Sequence, residues 1–311
     1  MDTIKDSMKL IAIYLLAVSL RSRWSAEAMH LVLLCFSAVI LVLSFVTAIA
    51  LPSYGTAAGV HEGAWQGIFL HKNQFGAFCA ISLIVSLCAA GQREHTKTSI
   101  VIIALSMVGM LLSRSGNAIV TAVATAWFAF GIFTISRFGR STDRLLGWLF
   151  FTGATVAIFL MAYLAIDVLF DQLQKDRSLT GRTSIWPQAI AGIAESPVWG
   201  HGIGAFWSER AYFVNTGESY VIPHAHNGYL DLLLDLGVIG GLAFLAFLSK
   251  FIKTHIYRGR MQRGSMLPLT ILVFILVANI ATSSLFSPNY FLFLLFLLLP
   301  RPTASYKRSC P

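Results

Sequence analysis

Charge is what this sequence has least of. Only 12% of its residues are Asp, Glu, Lys or Arg, about half the share of an ordinary soluble domain. Cysteine is sparse too: Cys35, Cys79, Cys88 and Cys310, with no CxxC. Three of these lie inside apolar runs and read as small core residues. No HExxH or paired cysteine supports a metal site. The apolar stretches lack period-two alternation, which excludes a β-barrel in favour of helices. The start lacks the n-region, short h-region and cleavage site of a removable signal peptide. No internal repeat or low-complexity linker divides the chain, so one membrane domain over 1–311 is the expectation.

What fills the space is apolar: 56% hydrophobic residues and a mean hydropathy of +0.71. A spanning helix needs about 20 mostly apolar residues. Nine runs approach that pattern: Met8–Leu20, Ala28–Leu51, Asn73–Ala90, Thr98–Leu112, Gly116–Ile135, Leu145–Ile166, Asn227–Ser249, Met266–Thr282 and Asn289–Pro300. The fold class expected is all-α, a polytopic helical bundle with about nine transmembrane segments. The first and last runs are short, so the chain is expected either to begin inside a longer protein or to tilt its first helix.

The net charge of +9 need not mean nucleic acid, because Lys and Arg collect in cytoplasmic loops. Arg21 and Arg23, Arg93 and Lys97, Arg137 with Arg140 and Arg144, the stretch Lys250–Arg263, and the tail residues Arg301, Lys307 and Arg308 alternate with the remaining loops. Those five segments are therefore assigned to the cytoplasm. The opposite side holds Pro52–Lys72, Ser113–Ser115, the long loop Asp167–His226 and Ser283–Pro288. A loop that long is either functional or disordered. This one carries Trp186, Trp199, Phe206, Trp207, Tyr212, Phe213 and Tyr220, together with a helical pattern over Ser184–Ala194 that has Pro187 in its first turn. It is expected to form a partly buried cap over the bundle.

Five of the eight histidines fall on that outer side: His61, His71, His201, His224 and His226. Arg114, Arg182, Arg210 and Lys72 join them. In FLHKNQFG, Asn73 suits the N-cap of the following helix, leaving His71 and Lys72 beside free N–H groups that favour an anion such as phosphate. Simple snorkelling of Lys72 is the alternative. Arg114 separates two apolar runs with almost no loop, at or just below the outer surface, where it either serves function or snorkels. Arg182 opens the loop helix, the end a cation disfavours. A bound anion or plain solvent exposure would explain it. In PHAHNGYLDLLLDLG, Asn227 reads as an N-cap. His226 has the chemistry of a general base. Asp231 and Asp235 share one helix face, and either could be merely solvated. The glycines of Gly200–Gly204 read as a flexible turn, since no strand precedes them.

Three stretches together resemble the O-antigen ligase/polymerase superfamily (Wzy/WaaL-like), in particular exopolysaccharide polymerases of the ExoQ type. They are AWQGIFLHKNQFG, GRTSIWPQAIAGIAESPVWGHGIGAFW and HAHNGYLDLLLDLGVIGG. Gln66 stands where a basic residue is common, and the match around Arg114 is looser. The resemblance covers 65–241, with 167–226 as its large periplasmic loop. It implies a GT-C-like, metal-independent glycosyltransferase fold without cofactor in the bacterial inner membrane. The implied reaction moves oligosaccharide repeat units from an undecaprenyl diphosphate carrier to an acceptor glycan hydroxyl at the periplasmic face. By match, His226, Arg182 and Asp231 are catalytic. Arg182, Arg114, Lys72, His71 and Asn73 hold the diphosphate, and His224 and Asn227 support them. The loop aromatics would stack on sugars. The implied partners are the carrier-linked oligosaccharide, the acceptor glycan, the bilayer, and chain-length regulator and export proteins.

Three other functions compete. A ligase would deliver glycan to lipid A, protein or another lipid. A transporter predicts repeat symmetry and broken or charged helices at mid-membrane, and neither is visible in the sequence. A secretion-complex subunit would need no grouping of arginine and histidine on one side.

Overall fold

The computed structural model describes residues 2–93, 95–173, 182–209, 224–257, 260–261, 266–285 and 290–299. Within them the chain is helical: α1 (Asp2–Arg23), α2 (Ala26–Ala50), α3 (Pro52–Gly55), a 3-10 turn (Gly59–His61), α4 (Lys72–Gly91), α5 (Thr96–Leu112), α6 (Gly116–Ser136), α7 (Ser141–Leu173), α8 (Arg182–Glu195), α9 (Ala205–Glu209), α10 (Gly228–His255), α11 (Met266–Ala278) and α12 (Tyr290–Leu297). A two-residue ribbon, β1 (Ile256–Tyr257) with β2 (Arg260–Met261), follows α10. Each of the nine apolar runs falls on a helix. Glu27–Ala50, Lys72–Gly91, Gly116–Ser136 and Gly228–His255 are long and apolar enough to cross a membrane, and Thr96–Leu112 and Met266–Ala278 are shorter apolar helices. The chain is thus an integral membrane protein of helical build.

α4 is the buried axis. Phe75, Cys79, Ile84 and Cys88 along it all lie in the main core, which α1, α2, α5, α6, α10, α11 and α12 complete. Close approach depends on small residues, as membrane helix packing requires. Gly76 sits against Ser113, Ser115 and Ala118, and Gly109 against Cys79 and Phe75. Val39, Val42, Val46 and Ile49 on α2 face outward, the apolar surface that lipid covers. Cys35 is exposed on the same helix. That corrects its reading as a core residue: an apolar run that faces lipid on one side does not bury every small side chain.

Contacts fix the direction of each helix. Phe45, near the end of α2, packs on Trp65 and on Phe75 at the start of α4. The end of α5 (Gly109) and the start of α6 (Ser115) meet the same turn of α4. Trp127 of α6 donates to Thr155 of α7 at 3.0 Å, and Phe138 packs against Gly147, so these two form an antiparallel hairpin. α11 runs against α4, because Thr270 reaches Cys88 and Met266 approaches Gly91. The end of α11 consequently returns to the Lys72 end of α4. There Asn279 accepts the Gly228 N–H at 2.9 Å through its carbonyl oxygen, and Tyr229 donates to the Leu276 carbonyl at 2.7 Å.

One layout follows. The Lys72 end gathers the starts of α4, α6 and α10 with the ends of α2, α5 and α11. The opposite end gathers Arg21 and Arg23, Arg93, Lys97, Arg137 and the lysines of α10. The alternation of basic loops along the sequence is therefore also an alternation in space.

α10 is not one continuous rod. Gly237 has φ 61° and ψ −162°, which breaks the helix. The segment 196–204 fills the gap. His201 and Gly202 donate their N–H groups to the carbonyls of Leu234 (2.7 Å) and Asp235 (2.9 Å), while Pro197 and Val198 accept from Val238 (2.8 Å) and Ile239 (3.3 Å). Four of the groups that a helix break leaves unpaired are thus supplied by one loop. Gly200, Gly202 and Gly204 all have positive φ, and a Cβ on Gly200 would collide with the Asp235 backbone. The Gly200–Gly204 stretch is therefore a fitted splice. Its reading as a flexible turn is corrected: the partner that holds it lies far along the chain.

Candidate functional site

Two groups of polar residues stand at the Lys72 end. The first is built where α4 begins. His71 has extended backbone and caps α4, its Nδ1 accepting the Asn73 N–H at 3.1 Å. The cap is therefore His71 and not Asn73, which lies inside the first turn with an exposed side chain. Its ring stands 6.0 Å from that of His61. Burial, then the His61 and Lys72 charges, hold His71 below the usual imidazole range. It is neutral at pH 7, as an accepting Nδ1 requires.

Lys72 opens α4. Its Nζ donates to the Arg114 carbonyl at 3.3 Å. Arg114 sits in the tight turn between α5 and α6 at φ 48°, exposed, with Nη1 donating to the Glu62 carbonyl at 3.4 Å. A bulky residue in the left-handed region is an outlier that its surroundings must enforce. Two cationic heads are thereby set beside a helix N-terminus by segments far apart in sequence.

The second group surrounds the start of α10. Asn227 caps that helix as expected, its Oδ1 accepting from Tyr229 (3.0 Å) and Leu230 (3.2 Å). The preceding His226 has φ 53°. Its N–H donates to His224 Nδ1 at 3.3 Å, and the two rings lie 4.3 Å apart, edge to face. Burial lowers the His224 pKa, and the Asp231 charge opposes that shift. Asp231 binds the same loop. Its two oxygens accept the Ala225 N–H at 3.0 and 3.2 Å, and Oδ1 also accepts the Trp207 indole N–H at 2.9 Å. Asp235, one turn on, accepts the Gly204 N–H at 3.0 Å. The shared face of the two aspartates is the face on which α9 and the splice loop are held. Among the described residues, no group of three His, Cys, Asp or Glu is arranged to hold a metal ion.

α8 lies across this half of α10. Ile185, Ala189, Phe206, Trp207, Ala225 and Leu234 form a second, smaller core. Trp186 donates to the Ala225 carbonyl at 3.2 Å, and His201 bonds the Gly192 carbonyl at 2.8 Å. Among the described residues, 182–209 thus form a packed cap over α10. Phe206 and Trp207, only 2% and 3% exposed, cannot stack on sugars; a cap of two short helices needs them as its own core. Trp199, 74% exposed, remains available. Arg182 is the first residue of α8, so Pro187 falls in the second turn and not the first. The Arg182 side chain lies outside the described residues, as do Arg210, Tyr212, Phe213 and Tyr220.

Asn279, at 0% exposure, was not singled out by the sequence reading. Its Nδ2 donates to the Ile275 carbonyl, and its Oδ1 accepts the Ser284 N–H at 2.9 Å. A Cβ on Gly228 would strike its side chain. A lone amide inside an apolar run was the available signal.

Because α11 runs antiparallel to α4, the His224–His226 loop and the Lys72–Arg114 pair share one end of the bundle. Comparison with known proteins takes in Arg114 and the whole second group. Residues 99–245 match the family model described as O-antigen ligase. The chain is similar to the "Exopolysaccharide production protein ExoQ" of Rhizobium meliloti (strain 1021), 26% identical over 191 residues, which takes in 57% of this chain and 43% of that protein. It is also similar to the "Putative polysaccharide ligase RC0486" of Rickettsia conorii (strain ATCC VR-613 / Malish 7), 25% identical over 187 residues, 55% of this chain and 42% of that protein. The matched region is less than half the length of either relative.

Proposed function

Through residues 99–245 the chain belongs to the O-antigen ligase family, and from that premise we propose that it is an exopolysaccharide polymerase. An acceptor glycan hydroxyl attacks the anomeric carbon of a carrier-linked oligosaccharide. The new glycosidic bond forms as the bond from that carbon to the diphosphate oxygen breaks. Polyprenyl diphosphate leaves, and the hydroxyl proton passes to His226. His224, kept neutral by burial, sits against His226 and orients it. Lys72 and Arg114, with Arg182 from the cap, neutralise the leaving diphosphate. Cationic donors aimed at the leaving oxygens supply that stabilisation without a metal ion. Asp231 holds the loop through Ala225 and Trp207. The chain forms one membrane domain of about nine crossings, with 167–226 on the periplasmic side of the bacterial inner membrane.

The observation that carries this reading is the antiparallel run of α11 on α4. It supports a common surface for base and cations, opposite the arginine-bearing turns. The same chemistry serves a ligase, a reading that the name of the Rickettsia relative favours. The saccharides left on the carrier in cells lacking the protein decide between them. Single repeat units support the polymerase, and long carrier-linked chains support the ligase. Unaltered polymer in His226→Ala and Arg182→Ala cells would remove the catalytic assignment altogether.

A further inference from the structure

We infer that Trp207 is a positioning residue: through Asp231 it fixes the backbone of the His224–His226 loop and thereby the left-handed conformation of His226. The inference rests on the reading of His226 as the base and adds a residue to it. A histidine at φ 53° does not hold that conformation unaided, since a non-glycine residue there is strained and persists only where its surroundings over-determine it. Three restraints converge on it. His224 Nδ1 takes the His226 N–H, Asn227 closes the turn as the cap of α10, and Asp231 grips the intervening Ala225 N–H with both oxygens.

The third restraint depends on how the Asp231 carboxylate is aimed. Trp207 sets that aim from the far side, its indole N–H meeting Oδ1 at 2.9 Å. The ring itself is immobilised, packed edge to face on Phe206 at 5.0 Å within the small core under α8. α9, which carries it, is anchored at its start by Gly204 on Asp235. A continuous run of contacts thus leads from the splice in α10, through α9 and Trp207, to Asp231 and the amide between the two histidines. Its links to Asp235 and Asp231 are hydrogen bonds from donors with a defined direction, joined by the backbone of α9. On this geometry Asp231 works as an acceptor and not as a proton carrier.

The separating variants are Trp207→Phe, Asp231→Asn and Asp231→Ala. Phenylalanine keeps an aromatic ring in the core and deletes the donor. Asparagine can place its amide oxygen at the Oδ1 position and accept from both Trp207 and Ala225, while it cannot relay a proton as a carboxylate does. Purified full-length variants in nanodiscs are assayed for kcat and KM with a polyprenyl-diphosphate oligosaccharide, for thermal unfolding, and for hydrogen exchange of the 224–227 amides.

Trp207→Phe and Asp231→Ala are expected to lower kcat by up to about 10²-fold, the loss that a misplacement of about 1 Å produces. KM should stay within about twofold, with faster exchange at 224–227. Asp231→Asn, which keeps the Oδ1 acceptor but sets an amide donor where Oδ2 met the Ala225 N–H, should fall between the parent and Asp231→Ala in both kcat and exchange. An Asp231→Asn variant as inactive as Asp231→Ala, or a Trp207→Phe variant unchanged in both kcat and exchange, overturns the inference. A parent protein that makes no polymer refutes the proposed function instead. The exchange comparison then still decides the positioning role, faster exchange in Trp207→Phe and Asp231→Ala supporting it and equal exchange overturning it.

Discussion

The ammonium of Lys72 donates to the carbonyl oxygen of Arg114 at 3.3 Å, joining the first residue of α4 to the turn between α5 and α6. The bond uses the Arg114 backbone and leaves its guanidinium to reach the Glu62 carbonyl. Both positive heads thus each make a bond to a main-chain oxygen of another segment.

Loss of either head should slow turnover by roughly 10²–10³-fold, the effect of removing one donor from a developing negative charge. Lys72→Ala tests the first and Arg114→Asn the second, since asparagine tolerates the left-handed region and separates charge from strain. Glycan length on gels and the amount of single repeat units left on the carrier report the result. Full-length polymer in both variants would remove these residues from the site.

His226→Asn should abolish polymer formation while leaving the melting temperature near that of the parent, again because asparagine accepts φ 53°. His226→Ala should lose activity and some stability as well. Thermal unfolding beside an in vitro polymerisation assay distinguishes the two. Residual activity in His226→Asn would point to a different base.

His71 and His224 should each withdraw stability on acidification. His71 and His224 are both held below the ordinary imidazole value of 6.5, mainly by burial. The unfolded chain then takes up protons first as pH drops, and it gains the stabilisation. The contribution of both residues is complete above about pH 6.5 and is lost as pH falls through their lower folded values. Other groups titrate in the same window, so the test is a difference: between pH 7.5 and 5.5 melting in nanodiscs should move further toward lower temperature in the parent than in His71→Asn, since asparagine caps α4 without titrating. An equal response to pH in the two proteins would contradict the lowered His71 value.

Gly237→Ala and Gly200→Ala should each destabilise by about 1–3 kcal/mol, because both residues have positive φ and both backbones lie in contact across the splice. The same change at the open, helical Gly153 should be neutral or slightly stabilising. Equal melting temperatures for all three variants would show that the splice contributes no stability.

Much of this architecture was legible before the structure. Long apolar runs impose helices in a membrane, and the arginines between them mark one end. Asn227 was readable as a cap because the side chain that caps is local to the helix it starts. Asn73 misled for a local reason as well: His71, two residues earlier and extended, caps the helix with its Nδ1 on the Asn73 N–H, which puts Asn73 inside the first turn. Trp207 and Phe206 looked like a sugar platform because a loop aromatic carries no mark of whether its own cap will cover it. The splice was out of reach, since the glycines of 200–204 show where φ can turn positive and not which distant carbonyls await them.

The break in α10 also sets where this fold can be cut and rejoined. From 238 to 255 the helix measures about 27 Å, close to the roughly 30 Å of hydrocarbon, so the turns before Gly237 travel with the cap. A chimera that exchanged caps between relatives at residue 227 would sever the foreign loop from the carbonyls it was shaped to meet. One joined beyond Ile239 would carry lock and key together.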